Sequence, residues 1–513
     1  MRKIKRALIS VSNKQNLKKL LSTLKKYNVE IISSGGTFKE IKKLGYKCIE
    51  VSNYTNSPEI LGGRVKTLHP KIHGGILNIR SNKTHQKDIK ENEFGKIDLV
   101  IVNFYPFEKI IYSSNNHDKI IENIDIGGPT LVRSAAKNFK YVTVVTNPDQ
   151  YSELIKQMRF LNGSTSFEFR KKLSSEAFSD TSYYDSLISN YFNKINGIEF
   201  PKKKVIGSKI IDKFRYGENP HQQGALYSSS DNFKLKQLNG KKLSYNNYND
   251  IFAALEISKS LPKNTGTVII KHKNPCGVSI IKDKLKSFLG AFKCDPKSAF
   301  GGIVSCNFIM SKKVALEVQK IFLEVIIANG YDKEALKILK KKKNLRIIDA
   351  KHYKPVETKS FVSNLDSTLH QSIDNIIFNK NNFKVVSKVK PSSKQFRDLV
   401  FAFNVCRFVK SNAIVLAKEL NTLGIGSGQP SRLDSCKIAI DKMKKFQKIS
   451  ENDIILGASD AFFPFVDGIE TLVQNGVSAI IQPSGSIRDK EIIKFADDLG
   501  IILIFSNTRH FKH

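Results

Sequence analysis

Apolar residues recur along the first 150 positions with two different periods. Residues 7–11 and 29–33 are short, β-branched apolar runs that predict strands, whereas 15–26 repeats its leucines at the three- and four-residue spacing of a helix. A glycine pair, Gly35-Gly36, opens a second helical pattern through residue 44. Further apolar runs at 98–103 and 141–146 predict strands, with a helix over 129–138 between them. Strand and helix in alternation predict a parallel sheet covered by helices, in which ligands sit beyond the carboxyl ends of the strands. Those ends carry Ser10, Ser12, Asn13 and Lys14, then Ser33 and Ser34, then Asn103 and Tyr105, so one polar crevice is expected there.

Periodicity lapses over 192–208, where Pro201 is followed by three lysines, and a linker is expected, dividing the chain into domains 1–197 and 198–513. In the second domain strands are predicted at 267–271, 302–306, 413–417 and 501–505, and helices at 251–258, 395–409 and 433–445. The order of helix, strand and polar turn repeats coarsely, which suggests a duplication.

Composition narrows the classes of function. The formal charge of +37 would suit a nucleic-acid binder, but only 14 of the 84 basic residues are arginines and the lysines are spread along the whole chain, as on solvated faces. Neither a nucleic-acid nor a membrane partner is expected: no apolar run approaches the ~20 residues of a bilayer span. Six cysteines, Cys48, Cys276, Cys294, Cys306, Cys406 and Cys436, include no Cys-x-x-Cys pair, so a reducing cytoplasm without structural zinc fits best. Cys276 lies in Pro-Cys-Gly-Val-Ser, which lacks the second cysteine of a zinc deaminase.

Candidate chemistry is densest in Gly62-Gly63-Arg64-Val65-Lys66-Thr67-Leu68-His69-Pro70, where cations and a hydroxyl follow a glycine pair. Such a segment suits an oxyanion or phosphate. Ser33-Ser34-Gly35-Gly36-Thr37, between a strand and a helix, is a second anion cradle at a helix N-terminus, although not a nucleotide P-loop.

These segments, with Asn103-Phe104-Tyr105-Pro106-Phe107 and Asp125-Ile126-Gly127-Gly128-Pro129 through Asn138, resemble the IMP cyclohydrolase domain of the bifunctional purine biosynthesis enzymes. Phe214-Arg215-Tyr216-Gly217-Glu218-Asn219-Pro220-His221-Gln222, Lys271-His272-Lys273-Asn274-Pro275-Cys276-Gly277, Ser411-Asn412-Ala413, Gly426 to Arg432, Ser459 to Phe465 and Thr508-Arg509-His510-Phe511 resemble the AICAR transformylase domain of that family. The resemblance implies an N-terminal methylglyoxal-synthase-like parallel-sheet domain and a duplicated, cytidine-deaminase-like α/β transformylase region. It also implies formyl transfer from 10-formyltetrahydrofolate, a cosubstrate, to AICAR giving FAICAR, then closure of FAICAR to IMP with loss of water, in a cytoplasmic homodimer without a catalytic metal. Methylglyoxal synthase itself is the alternative for the N-terminal fold, but it would not need the last 300 or so residues.

By the same resemblance Lys66, Tyr105, Asp125 and Lys137 surround the cyclising groups, with Lys137 the proton shuttle. The nucleotide would be held by Ser12, Lys14, Ser34, Gly35, Gly36, Thr37, Arg64, Thr67 and Asn103. For formyl transfer His272 is the expected base and Lys271 a neighbouring ammonium that keeps it neutral, an arrangement that requires the strand to end there. Asn412 would orient the amine or carboxamide. Arg215, Tyr216, Gly301, Glu324, Arg432 and Arg509 are expected at the ribotide, and Phe462, Asp467, Ser486 and Ile487 at the folate. The chain departs from the usual bacterial pattern at residues 361–365, at Phe403 and at Pro430, and folate affinity is the property those changes would alter.

Overall fold

The computed structural model describes residues 2–229, 233–354 and 360–513, and its chain forms two compact units, Met1–Ser208 and Lys209–His513. The first contains a five-stranded sheet. Its strands are β1 (Arg6–Val11), β2 (Glu30–Ser33), β3 (Ile49–Glu50), β4 (Leu99–Asn103) and β5 (Thr143–Val145), in the order β3-β2-β1-β4-β5 and all parallel. Both faces are covered, by α1 (Leu17–Lys26), α2 (Gly35–Lys43), α3 (Pro70–Leu77), α4 (Gly127–Lys137) and α5 (Phe167–Ile195) among others. The chain leaves β1 toward β2 on one side and later returns to β4 on the other, so a crevice opens beyond the ends of those strands.

Every expected element is present, most displaced by no more than two residues at their ends; in the second unit the helix expected at 251–258 starts earlier, at Tyr245, and the one expected at 395–409 ends at Cys406. Helix α1 starts at Leu17, not residue 15, because Asn16 precedes it in a left-handed conformation. Helix α4 starts at Gly127, not residue 129, and the Gly128 amide in its first turn is capped by Asp125. The expected linker needs correction: α5 continues to Ile195, and residues 198–208 stay with the first unit, where the Asn190 side chain donates to the Val205 carbonyl at 3.3 Å. Helix α5 itself escaped the sequence reading, although Phe169, Leu173, Ala177, Thr181 and Tyr184 form its buried stripe at helical spacing.

Twelve strands form the sheet of the second unit. In chain order they are β6 (Lys236–Asn239), β7 (Thr267–Lys271), β8 (Asn274–Ser279), β9 (Ile303–Cys306), β10 (Val325–Ala328), β11 (Arg346–Asp349), β12 (Phe383–Val385), β13 (Ile414–Lys418), β14 (Asn421–Gly426), β15 (Ile455–Ser459), β16 (Val477–Pro483) and β17 (Ile502–Ser506). Across the sheet they run β6-β11-β10-β9-β7-β8-β14-β13-β15-β16-β17-β12. From either edge to the centre the pairings are antiparallel, parallel, parallel, antiparallel, antiparallel. The halves meet at one antiparallel pairing, Ser279 with Asn421, and the duplication suggested by the sequence is thus visible in strand order and direction.

Each half has a helix before its central hairpin, α6 (Tyr245–Ser260) and α8 (Ser393–Cys406), and one after it, α7 (Lys284–Cys294) and α9 (Arg432–Phe446). The central strands are largely buried because helices cover both faces. Among the described residues no helix is long and apolar enough to cross a membrane.

Candidate active sites

In the first unit a cavity of about 690 Å³ opens at the expected crevice. Its wall contains Ser12 and Lys14 beyond β1, Ser34 to Thr37 beyond β2, Asn103 and Tyr105 beyond β4, and Arg64, Lys66, Thr67 and Asp125. Two loops are fixed before any ligand arrives. Thr37 Oγ1 accepts from the Val11 amide at 2.9 Å and donates to the Val11 carbonyl at 3.0 Å, tying the start of α2 to the end of β1. Asn103 does the same for the loop after β1, accepting from the Asn13 amide at 2.8 Å and donating to its carbonyl at 3.1 Å. The first amides of α2 consequently point into the cavity region without intrahelical partners, an arrangement that favours an anion.

Lys66 is threaded between two glycines. A Cβ on Gly63 would lie 2.6 Å from Lys66 Cε and one on Gly35 would lie 3.2 Å from Nζ, and both glycines have positive φ. Its ammonium rests 3.2 Å from the Glu59 carboxylate. Arg64 pairs with Glu122 at the rim, both well exposed.

Asp125 accepts the Gly128 amide at 2.7 Å, and its own amide donates to the Tyr184 hydroxyl at 2.8 Å. Burial raises the Asp125 carboxyl above the usual carboxylate range, against the opposing pull of the Gly128 and Tyr105 backbone. Glu59 and Tyr184 are supporting residues that motif reading passed over; the helical stripe of α5 was the available signal for Tyr184.

Lys137, expected beside these groups, does not line the cavity. It is exposed at the last residue of α4, whose first residues form the wall, and ten residues of helix separate the two ends by about 15 Å. The helical spacing that made it a neighbour in sequence carries it away in space.

In the second unit the expected residues fall into two groups. One lies at the start of the hairpin β7–β8. Strand β7 ends at Lys271, and His272 and Lys273 form the two-residue turn, with φ of 52° and 64°. Positive φ at two non-glycine residues costs energy, and Asp250 on α6 offsets it by accepting both amides, from His272 at 3.1 Å and Lys273 at 2.8 Å. The requirement that the strand end at Lys271 is therefore met.

The Lys271 ammonium donates to the Phe300 carbonyl at 2.8 Å, beside Gly301. Glu324 accepts from Asn247 Nδ2 at 2.9 Å and lies 3.4 Å from Arg346. Arg215 and Tyr216 sit in a closed loop whose Glu218 carbonyl accepts from Asn246 Nδ2 at 3.2 Å. Asn246, Asn247 and Asp250 thus brace this group from one helix, and sequence motifs had not singled them out.

The other group surrounds a cavity of about 420 Å³, whose wall includes Asn412, Pro430, Arg432, Phe462, Asp467 and Arg509. Asn412 Nδ2 donates to the Gln429 carbonyl at 3.0 Å and the Pro430 carbonyl at 2.9 Å, and its Oδ1 accepts from Arg432 at 2.8 Å. Arg432, expected to reach the ribotide, is mostly committed elsewhere, since it also pairs with the buried Asp460 and donates to Ser459 Oγ at 2.7 Å. Arg509 is exposed and makes no ion pair among the described residues; its guanidinium lies 4.4 Å from the Phe511 ring centre.

Ser486 and Ile487 are not in this wall. The Ser486 hydroxyl accepts from the Arg488 amide at 3.2 Å, Ile487 is fully exposed, and the turn reaches the rim through Arg488, stacked 4.6 Å over Phe465. His272 is also outside the wall. Its hairpin is joined to the Asn412 segment by Asn274 Oδ1, which accepts the Lys410 amide at 3.1 Å.

The atypical residues have separate surroundings. Residues 360–371 form an exposed hairpin, Phe403 is buried 5.2 Å from the His510 ring, and Pro430 supplies the carbonyl that holds Asn412. Cys276 is buried, and desolvation pushes its thiol up to about 12, the opposite of what a nucleophile requires. No group of three or more His, Cys, Asp or Glu side chains suited to a metal occurs among the described residues.

Residues 135–442 match a family described as AICARFT/IMPCHase bienzyme, and residues 16–130 match the MGS-like domain. A bifunctional purine biosynthesis protein PurH from Persephonella marina is 44% identical over 519 residues, covering 99% of this chain and all of that protein. The protein of the same name from Thermoanaerobacter sp. is 45% identical over 516 residues, covering 99% of this chain and all of its own length, and that from Bradyrhizobium diazoefficiens is 43% identical over 527 residues. With a family match spanning more than half its length and relatives aligned from end to end, the chain belongs to the AICARFT/IMPCHase bienzyme family.

Proposed function

We propose that the two reactions of this bienzyme, formyl transfer to AICAR and closure of FAICAR to IMP, are divided between the two units. Ring closure belongs to the first. The observation that carries this reading is the convergence, in one cavity, of a helix N-terminus, Arg64, Lys66 and a buried carboxyl of raised pKa. The amides of Gly35, Gly36 and Thr37 take the nucleotide phosphate, with Ser12, Lys14, Ser34, Arg64 and Thr67 around it.

In the cyclisation the carboxamide nitrogen attacks the formyl carbon, a C–N bond forms, and the carbonyl oxygen becomes an alkoxide that leaves as water after protonation. The Lys66 ammonium stabilises that oxygen. Asp125, whose carboxyl burial raises, takes the carboxamide proton, and the oxygen leaves as water with that proton and the one the former formamide nitrogen gives up as the ring C=N bond forms, with Tyr105 beside it. Lys137 is left without a part in this pocket.

Formyl transfer belongs to the second unit. The amine of AICAR attacks the formyl carbon of 10-formyltetrahydrofolate, its proton passes to His272, and the folate nitrogen leaves with a proton. Lys271 and the remaining lone pair of Asn412 Oδ1 hold the substrate's polar groups, and Arg509 offers an unpaired cation for its phosphate. The cavity beside Asn412 suits a flat pterin, because Phe462, Phe463 and Phe465 supply apolar wall and Asp467 a hydrogen-bond acceptor.

The working form in this reading is a cytoplasmic homodimer with transformylase sites built across the subunit interface. Phe361, Val362, Leu365 and Leu369 on the exposed hairpin are apolar surface suited to self-association, and all six cysteines are free thiols. The test is direct: purified protein given AICAR and 10-formyltetrahydrofolate makes IMP. Lys66→Ala and Asp125→Ala then block closure of supplied FAICAR and leave formyl transfer intact. Loss of both activities in folded Asp125→Ala protein rejects the division.

A further inference from the structure

We infer that Asp460 is a positioning residue for formyl transfer, acting through Arg432 and Asn412. This rests on the reading that the cavity beside Asn412 is the transformylase site. Asp460 follows β15 and is 0% exposed. One carboxylate oxygen accepts from Arg432 Nη1 and the other from Ser411 Oγ at 2.5 Å. Arg432, itself 8% exposed, spends the rest of its fork on Ser459 Oγ and Asn412 Oδ1. Asn412 then holds the wall through the Gln429 and Pro430 carbonyls.

The same residue organises the C-terminal segment. The Asp460 carbonyl accepts the His510 amide at 3.0 Å, and Ser411, fixed by the carboxylate, accepts the Lys512 amide at 3.1 Å on its hydroxyl and donates its own amide to the Lys512 carbonyl at 3.0 Å. Both anchored residues directly follow Arg509, so Asp460 holds Asn412 through its carboxylate and the segment after Arg509 through its carbonyl and Ser411.

The duplicated fold supplies its own control. In the first half Asn307 follows β9 as Asp460 follows β15, and its amide donates to the Gly266 carbonyl as that of Asp460 donates to the Ala413 carbonyl. Asn307 closes its surroundings without charge: Oδ1 accepts from Thr265 and Gly266 at 3.1 and 2.8 Å, and Nδ2 donates to the Ser258 and Pro262 carbonyls at 3.0 and 2.9 Å. The backbone therefore does not require an ion pair at this point. Burying one is costly unless geometry repays it, and here the pair adjoins the cavity and holds Asn412, which assigns it to the site.

Asp460→Asn installs in the second half the side chain that the first half already uses. In the full-length protein we expect formyl transfer to fall roughly tenfold to a hundredfold in kcat/KM, with KM for AICAR raised, and the melting temperature to fall as well because Arg432 loses its buried counter-charge. A double-mutant cycle supplies the readout that a merely structural role would not move: in an Asn412→Ala background, Asp460→Asn should cost less than about twofold more. Multiplicative losses, or unchanged kinetics in Asp460→Asn, overturn the relay. If Asp460→Asn does not fold, Arg432→Lys keeps a cation beside the carboxylate but lacks the fork that reaches Asn412, and must show the same kinetic loss. An Asn412→Ala protein with intact formyl transfer would instead overturn the placement of the site, and the relay with it.

Discussion

In the first half of the twelve-stranded sheet the turn after β7 presents His272 and Lys273; in the second half the turn after β13 presents Glu419 and Leu420. The backbone is the same and the support similar. All four residues have positive φ, and the sixth residue of the preceding helix is an aspartate in each half, Asp250 accepting the His272 and Lys273 amides and Asp398 the Glu419 amide. The side chains differ: an imidazole that can move a proton on one side, and on the other a glutamate paired with Lys394 at 2.7 Å. Duplication has preserved the means of holding a strained turn and has changed what the turn presents.

The largest effect expected from that difference is catalytic. His272→Ala should lower formyl transfer by roughly 10² to 10⁴, as removal of a general base does, while closure of supplied FAICAR is unchanged. Glu419→Ala, at the matching position, should leave both rates within about twofold. Steady-state assays of the two variants side by side decide it, and equal losses would show that the turns matter only as structure.

A smaller contrast is expected one layer back. Asp250→Asn replaces an acceptor of two amides with a group that can satisfy one, so formyl transfer should fall about tenfold through displacement of His272. The corresponding Asp398→Asn keeps an oxygen for the Glu419 amide and loses only the charge facing the exposed Arg397, so it should cost less than about 1 kcal/mol of stability and leave kcat unaltered. Denaturant unfolding paired with kinetics separates the cases; a kcat loss in Asp398→Asn would end the comparison.

Legibility in the sequence followed the same geometry. In the first unit a parallel sheet gathers successive strand ends at one crevice, so Ser12, Ser34 and Asn103 could be placed together from pattern alone, and the cavity contains them. In the second unit the functional residues sit in tight turns and loops of a mixed sheet. There the motifs named residues without showing that Lys271 and Glu324 would gather on one side and Arg432 and Arg509 on another. Asp460 was quoted inside a motif but had no visible role, because its partner Arg432 is 28 positions earlier in sequence and meets it only through the β13–β15 pairing. Lys137, placed by family resemblance, stands apart from the cavity wall for a different reason, the rise of α4 between Gly127 and Lys137.

The first unit offers a further contrast, since its site depends on space beside Lys66 more than on a strained turn. Gly63→Ala would push a methyl to within 2.6 Å of Lys66 Cε at a positive φ. Closure of FAICAR should slow about fivefold to tenfold, with formyl transfer unaffected. Gly62→Ala, where a Cβ would meet nothing within 4 Å, carries the same backbone penalty without the contact and serves as its control.

The smallest expected effect tests whether the two aspartates are equivalent in the folded state. Burial raises both carboxyls above the ordinary 3.8, against the opposing influence of His272 and Lys273 at Asp250 and of Arg397 and Lys394 at Asp398. A carboxyl held protonated more tightly in the folded chain contributes stability that is complete below the unfolded pKa and is lost as pH rises through the folded value. The asparagine variants lack that loss. The melting temperature of the parent minus that of either variant should therefore decrease as pH rises from about 4 toward neutrality, by a few degrees for each kcal/mol involved. The sign should be the same at both positions, although only one of them supports catalysis. A difference that stays flat across this range at Asp398 but slopes at Asp250 would mean that Arg397 and Lys394 cancel the effect of burial at Asp398, and that the matching backbones conceal different electrostatics.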